Sequence, residues 1–183
     1  MKTKAAFKIS LAFFLGMAAW MFSLEAGLGI ALADPGTLDS KNPALFDAFL
    51  YFADSGRTHL KAVPKTFPAG LDDHTLGKAV LTALMAGPPD GMGRVFPDAT
   101  RINALFIKDR NEAYVDIGID QGQLPSSDTI TEYLGVYSLV NTLTVNIPRI
   151  KQVKILINGT DKGSLGGHLS LDNFFKTNML IVK

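Results

Sequence analysis

The sequence predicts an α+β fold: a two-layer sandwich with two helices packed on one face of a small mixed or antiparallel sheet. Two segments, 72–87 and 128–145, carry apolar residues at helical spacing. Shorter segments have the β-branched and aromatic residues or the alternation of strands: 49–53, 102–107, 113–119 and 152–157. Helices that each bury a single stripe need a sheet to pack against, and the order of elements supplies one.

The first 33 residues have the features of an export segment. Lys2, Lys4 and Lys8 precede an uncharged apolar run, and Ala31-Leu32-Ala33 matches a signal-peptidase site. Residues 9–33 are also long enough to span a bilayer and would then remain as a membrane tether. We therefore expect a signal peptide or signal anchor over 1–33 and an extracytoplasmic protein, in the periplasm or on the outer face of the cytoplasmic membrane.

A polar linker is predicted over 34–45, because "DPGTLDSKN" is rich in turn residues. The first strand follows over Phe49 to Ala53. The segment "HLKAVPKTFPAG" contains two prolines, each without a backbone donor, so it is an edge strand at best.

The first helix has clear start and stop signals. Asp72 or Asp73 can accept the free N–H groups of its first turn. Gly87 can adopt the left-handed conformation that ends a helix, and Pro88 prevents continuation. The apolar face comprises Leu76, Ala79, Val80, Ala83 and Leu84.

A strand pair is predicted over 101–119, with a polar turn at 109–111. In the second helix Ser127 can act as the N-cap, and Thr129 and Glu132 have the spacing of a capping box. The apolar stripe of this helix comprises Ile130, Leu134, Tyr137, Val140 and Leu143.

The last predicted strand, 152–157, turns Val153, Ile155 and Ile157 inward and Lys154 outward. Asn158-Gly159 then predicts a tight turn. Residues 176–183 form a tail or a last short strand.

Composition excludes several classes of function. The formal net charge is +1, which provides no basic surface for nucleic acid. The 183 residues contain no cysteine, so they predict no disulfide, no zinc thiolate site and no lipidated cysteine. The three histidines lack the spacing of metal ligands, and the glycine-rich stretches lack the lysine of a phosphate-binding loop. We expect no catalytic residues, no metal and no cofactor.

Arg101 is the one candidate binding residue. Its guanidinium could face an acidic partner, or it could pair locally with Asp98 or with a helix C-terminus. Asp116 and Asp120 lie four residues apart and would matter to a hydrolase only if they converged; solvated carboxylates at a strand end are the simpler interpretation.

Several motifs in this order resemble the GerMN domain, the sporulation and spore-germination domain of bacterial envelope proteins. The resemblance covers 46–175 and depends on motifs whose order and spacing match: Ala83-Leu84 with Gly87-Pro88, Pro97 to Arg101, Val115-Asp116, Thr142-Leu143-Thr144 and Val153 to Gly159. It implies one GerMN domain with the element order of ring-building modules, acting by binding rather than catalysis.

The leading hypothesis is a non-enzymatic envelope protein that binds an envelope protein partner or itself through sheet edges or helix surfaces. The alternative is a periplasmic module that binds a small ligand or cell-wall fragment in a pocket of aromatic residues, among them Tyr51, Tyr114, Tyr133 and Tyr137. An exposed apolar surface would favour the first, and a deep cavity with convergent polar groups the second.

Overall fold

The computed structural model of the protein describes residues 44–108, 111–120, 128–161 and 163–183. The predicted α+β class is confirmed. The export segment and nearly all of the linker lie outside the described residues. The elements, in chain order, are β1 (Leu45–Asp54), β2 (Leu60–Pro68), α1 (Asp73–Met85), β3 (Met92–Gly93), β4 (Arg101–Lys108), β5 (Glu112–Gly118), α2 (Thr129–Asn146), β6 (Gln152–Ile157) and a short 3-10 helix, Met179–Ile181.

The strands form two sheets of three, where the sequence predicted one small sheet. The first sheet has the order β2-β1-β3 and is antiparallel throughout. The second has the order β4-β5-β6, with β4 and β5 antiparallel and β5 and β6 parallel. The proline-containing segment before α1 is β2, which pairs with β1 along its whole length and is an edge strand.

Helix α1 begins and ends where its sequence signals predict. The carboxylate of Asp72 accepts the N–H groups of His74 and Thr75, and the side-chain hydrogen bond from Thr75 is the main reason that the pKa of Asp72 is lowered. Gly87 adopts a φ of 106°, and Pro88 follows it. The helix packs against β4 and β1.

Helix α2 differs from the prediction at its start. Its N-cap is Asp128, whose carboxylate accepts the N–H of Thr131, and this bond is the main cause of the lowered pKa of Asp128. The predicted cap, Ser127, lies outside the described residues. Glu132 is not part of a capping box, because its carboxylate accepts the backbone N–H groups of Leu165, Gly166 and His168. The predicted stripe is also wrong at Ile130, which is exposed.

A polar row on α2 closes the open edge of β1. Ser138, Thr142 and Asn146 recur every fourth residue and therefore share one face of the helix. The Thr142 hydroxyl accepts the N–H of Tyr51 (3.1 Å), and the Ser138 hydroxyl donates to the Tyr51 carbonyl (2.5 Å). The Asn146 amide bonds both the N–H and the carbonyl of Phe49. The helix thus takes the hydrogen bonds that a neighbouring strand would otherwise make.

The chain ends against this framework. Residues predicted as a tail or short strand form the 3-10 helix, capped by Asn178. The backbone of Asn178 exchanges hydrogen bonds with the Asn141 amide of α2. Val182 and Lys183 lie beside Leu60 at the start of β2. Within the described ranges, no helix combines the length and apolar character that a bilayer crossing requires.

Candidate functional site

Arg101 lies at the surface, at the first residue of β4. Its Nη1 is 3.8 Å from Oδ1 of Asp120, and the two side chains are 60% and 62% exposed. Such an exposed pair adds little stability. The aliphatic part of the Arg101 side chain lies against Gly118 of β5, where an added Cβ would collide with it. The guanidinium therefore remains accessible to an anionic group from outside the chain.

The local role considered for Arg101 belongs to Arg94 instead. The Nε of Arg94 is 2.9 Å from Oδ1 of Asp98, so the predicted pairing of Asp98 with Arg101 is wrong. Its Nη2 also donates to the carbonyl of Ala86 at the end of α1 (3.4 Å). A Cβ at Gly87 would overlap its guanidinium. Glycine is thus needed at position 87 both for its backbone conformation and for space.

The two carboxylates considered for hydrolysis have separate partners. Asp116 accepts hydrogen bonds from the N–H of Gly159 (2.7 Å) and the side-chain amide of Asn103 (3.1 Å). Asp120 faces Arg101. In the parts of the chain that the structure describes, no three His, Cys, Asp or Glu side chains cluster as metal ligands.

The histidines have structural surroundings. His59 lies beside Asp54, whose carboxylate accepts the N–H groups of His59, Thr58 and Gly56 in the turn after β1. These bonds, that from His59 foremost, lower the pKa of Asp54 to about 2. His74 is exposed, and its Nε2 donates to the carbonyl of Leu105 in β4 (3.0 Å).

Two buried charges that the sequence interpretation missed hold the C-terminal segment in place. Glu132 of α2 is 1% exposed. Its Oε1 accepts the backbone N–H groups of Leu165 (2.9 Å) and Gly166 (2.7 Å), and its Oε2 accepts that of His168 (2.8 Å). Three backbone donors therefore satisfy a carboxylate that water does not reach.

Lys154 of β6 binds the same segment with the opposite charge. Predicted to face solvent, it is buried beneath the residues that follow the strand. Its Nζ donates to the carbonyls of Leu171 (2.9 Å) and Asp172 (2.6 Å) and pairs with Asp161 (2.7 Å). The Glu132 carboxylate and the Lys154 ammonium thus both bind backbone groups of the same C-terminal segment. Alternation along β6 gave the correct face for Lys154 but could not show that the chain returns to cover it.

Of the four tyrosines considered for a pocket, Tyr114, Tyr133 and Tyr137 pack on other aromatic rings and Tyr51 lies in the core. Tyr51 is buried, and its burial raises its pKa. Tyr137 packs against both Tyr133 and Phe175, with ring centroids 4.7 and 5.9 Å apart, and burial is the main reason that its pKa is raised. Such contacts are typical of a core and leave little aromatic surface for a small ligand.

Large apolar side chains are instead exposed on the surface of this domain. The most exposed in β4 is Phe106, at 64%. The others are Leu45, Phe49, Ile130, Met179 and Leu180. An open groove of about 720 Å³ lies beside Ile107 of the same strand, with Leu71, Ile147 and Pro148 among its lining residues.

Comparison with known proteins identifies relatives of this fold. The family described as "Germane: Sporulation and spore germination" matches residues 49–163, more than half of the chain. A structure of the tandem GerMN domains of the sporulation protein GerM from Bacillus subtilis is 25% identical, with a TM-score of 0.55. The match covers 73% of this chain and 46% of that one, so this chain spans less than half of the tandem structure.

A second solved structure shares the fold. It is a protein from Clostridium perfringens described as a candidate lipoprotein, 24% identical with a TM-score of 0.52, and the match covers 74% of this chain and 91% of that chain. No sequence among the curated proteins matches this chain.

Proposed function

Because this chain belongs to the sporulation and spore germination family, we propose that it is a non-enzymatic assembly module of the cell envelope. It binds an envelope protein partner, or a second copy of itself, and changes no covalent bond. Its place is outside the cytoplasm, where the predicted export segment over 1–33 would deliver it. The relatives named for sporulation support a link to sporulation or germination.

One observation carries this proposal: the buried or multiply hydrogen-bonded ionisable groups of the described residues serve the fold, whereas several large apolar side chains are exposed to solvent. Glu132 and Lys154 are used to hold the C-terminal segment. Asp54, Asp72 and Asp128 accept backbone N–H groups in turns and helix caps. A reaction would require an acid, base or nucleophile with a free position, whereas exposed apolar surface is typical of a binding protein.

Chemical crosslinking in the envelope of the host cell tests this proposal. A tagged full-length protein would be crosslinked in intact cells, purified under denaturing conditions and examined by mass spectrometry. We expect one or a few specific envelope proteins, or a defined oligomer of this chain. Monomer alone, under conditions in which a known envelope complex crosslinks well, would contradict the proposal.

A further inference from the structure

The exposed edges of the two sheets differ in how they are protected. A strand edge presents free N–H and C=O groups that can pair with another chain, and proteins therefore shorten, cover or charge such edges. The edge of β1 is closed by β3 and by the polar row of α2. At β6, Val153 exchanges two backbone hydrogen bonds with Phe175, each 2.8 Å long.

The edge strand β2 is protected by its own sequence. Pro64 and Pro68 have no N–H to donate, and Lys61 and Lys65 are exposed beside them. Its first residue is already bonded, because the carbonyl of Leu60 accepts the N–H of the C-terminal residue. A further strand could therefore form few hydrogen bonds along β2.

The edge strand β4 has fewer of these protections, and its outward bond in the described residues is the one from His74 to the Leu105 carbonyl. It reads RINALFIK, with no proline and with charges only at Arg101 and Lys108. Among the described residues it pairs on one side only, with β5. The Leu105 carbonyl faces away from β5, toward His74. Since these directions alternate along an antiparallel strand, the N–H and C=O of Ile107 face the same open side.

Both faces of β4 can also accept the side chains of an added strand. Phe106 stands on the outer face, with Tyr114 of β5 opposite it on one side and no described strand on the other. Residues opposite each other on paired strands lie on the same face. A residue opposite Phe106 would cover its exposed ring. One opposite Ile107 would enter the groove, which Leu71, Ile147 and Pro148 line together with Asp72, Asp73 and Arg149.

We infer that β4 binds an extended segment of another envelope protein by strand addition, a segment that is apolar in its middle and acidic at both ends. The charges of β4 select this partner, because its two ends are basic and its centre is apolar. An antiparallel pairing of two copies through their outward residues, with Leu105 opposite Leu105, would instead bring Arg101 of each copy close to Lys108 of the other, which is unfavourable. The inference rests on the proposed function and specifies its surface.

Site-specific photocrosslinking of the full chain in its own envelope tests the inference. A photoreactive phenylalanine analogue would replace Phe106, and in a control Phe49, which is exposed on the other sheet. We expect position 106 to crosslink to one segment of a different protein, with apolar residues between acidic ends. Mass spectrometry of the crosslinked peptide identifies that segment.

Two variants show whether the crosslink depends on strand addition. Ile107→Pro removes an outward N–H without breaking the pairing with β5, and should reduce the yield at position 106 at least tenfold. The neutral double variant Arg101→Gln with Lys108→Gln removes both cations without placing a carboxylate beside Asp120 or Glu112, and should reduce the yield at least fivefold. The matched change on the other edge, Lys61→Gln with Lys65→Gln, should leave the yield unchanged.

The outcomes separate this inference from the proposed function. Crosslinks from position 49 but not from 106 would overturn strand addition at β4 and leave an assembly module in place. A crosslink from 106 that neither β4 variant reduces would also overturn it. A crosslink to β4 of a second copy would refute the acidic partner. An absence of crosslinks from both positions, with none from the general chemical crosslinker, would overturn the inference and the proposed function together.

Discussion

The carboxylate of Glu132 gives the sharpest stability prediction. It is buried and accepts three backbone N–H groups, so the substitution Glu132→Gln keeps the shape of the side chain and changes only its chemistry. The amide oxygen can still accept from Leu165 and Gly166. The amide nitrogen, however, would face the N–H of His168, and two donors cannot bond each other.

The magnitude follows from these three bonds. A hydrogen bond to a charged group contributes about 1.5–3 kcal/mol and a neutral one about 0.5–1.5 kcal/mol. Two bonds therefore weaken by about 1 kcal/mol each, and the third is lost. The neutral side chain is less costly to bury, which offsets part of the loss. We expect the free energy of unfolding to fall by about 2–4 kcal/mol, on the scale of the hydrogen-bond values above.

Urea denaturation of the full chain in a mild detergent measures this change. At a slope of about 1–3 kcal/mol per molar urea, the midpoint should fall by about 1 M or more. Glu112→Gln is the matched control, because Glu112 is half-buried and accepts a single side-chain bond, from Gln152; its substitution should cost at most about 1 kcal/mol. Hydrogen exchange should also accelerate at residues 165–168. Equal, small effects of both substitutions, without faster exchange there, would refute the reasoning.

Three further substitutions test the turns and the closed edge of β1. Gly87→Ala should destabilise the domain by more than about 1 kcal/mol, because φ is 106° and the Arg94 guanidinium occupies the space of the methyl group; thermal unfolding measures it. Asp54→Asn should flatten the acid dependence of stability: with a folded pKa near 2 against about 3.9 unfolded, the carboxylate stabilises fully above pH 4 and loses this contribution as pH falls toward 2. Thr142→Val should cost about 1–3 kcal/mol, because the buried N–H of Tyr51 loses its acceptor.

Matched substitutions separate these effects from general damage. Gly70→Ala also changes a glycine with positive φ, but a methyl group there meets open space, so it should cost less than the change at Gly87. Thr66→Val removes an exposed hydroxyl and should cost far less than Thr142→Val. If each control matched its partner in size, the specific contacts would not be the cause.

The first helix was predictable because its signals are local. The carboxylate at Asp72 and the conformational freedom of Gly87 act within a few residues, and the structure uses both as predicted. The strand pair 101–119 was predictable for the same reason, since adjacent segments alternate and a polar turn connects them. The second sheet was less visible, because its parallel pair, β5 and β6, joins segments that are separated by a whole helix.

The buried polar residues could not be assigned from their own segments. Ser138, Thr142 and Asn146 recur every fourth residue, and that spacing alone could have suggested a shared polar face. Their partners in β1, however, lie 87 to 97 residues away. Glu132 and Lys154 likewise read as surface residues until the C-terminal segment covers them. Local pattern gives the side on which a residue lies, but only the tertiary path shows what lies over it.

The outer edge of β4 is informative because the other outer edges of the two sheets are protected. Two three-stranded sheets have four outer edges, and each exposes the domain to unwanted pairing. Here three are limited by different means: β3 is only two residues long, Phe175 bonds to β6, and prolines interrupt β2. Changing Phe106 to lysine would further protect the fourth without disturbing the core, because this side chain is already exposed. A weakly protected edge that would be so simple to close therefore favours a use that depends on its remaining open.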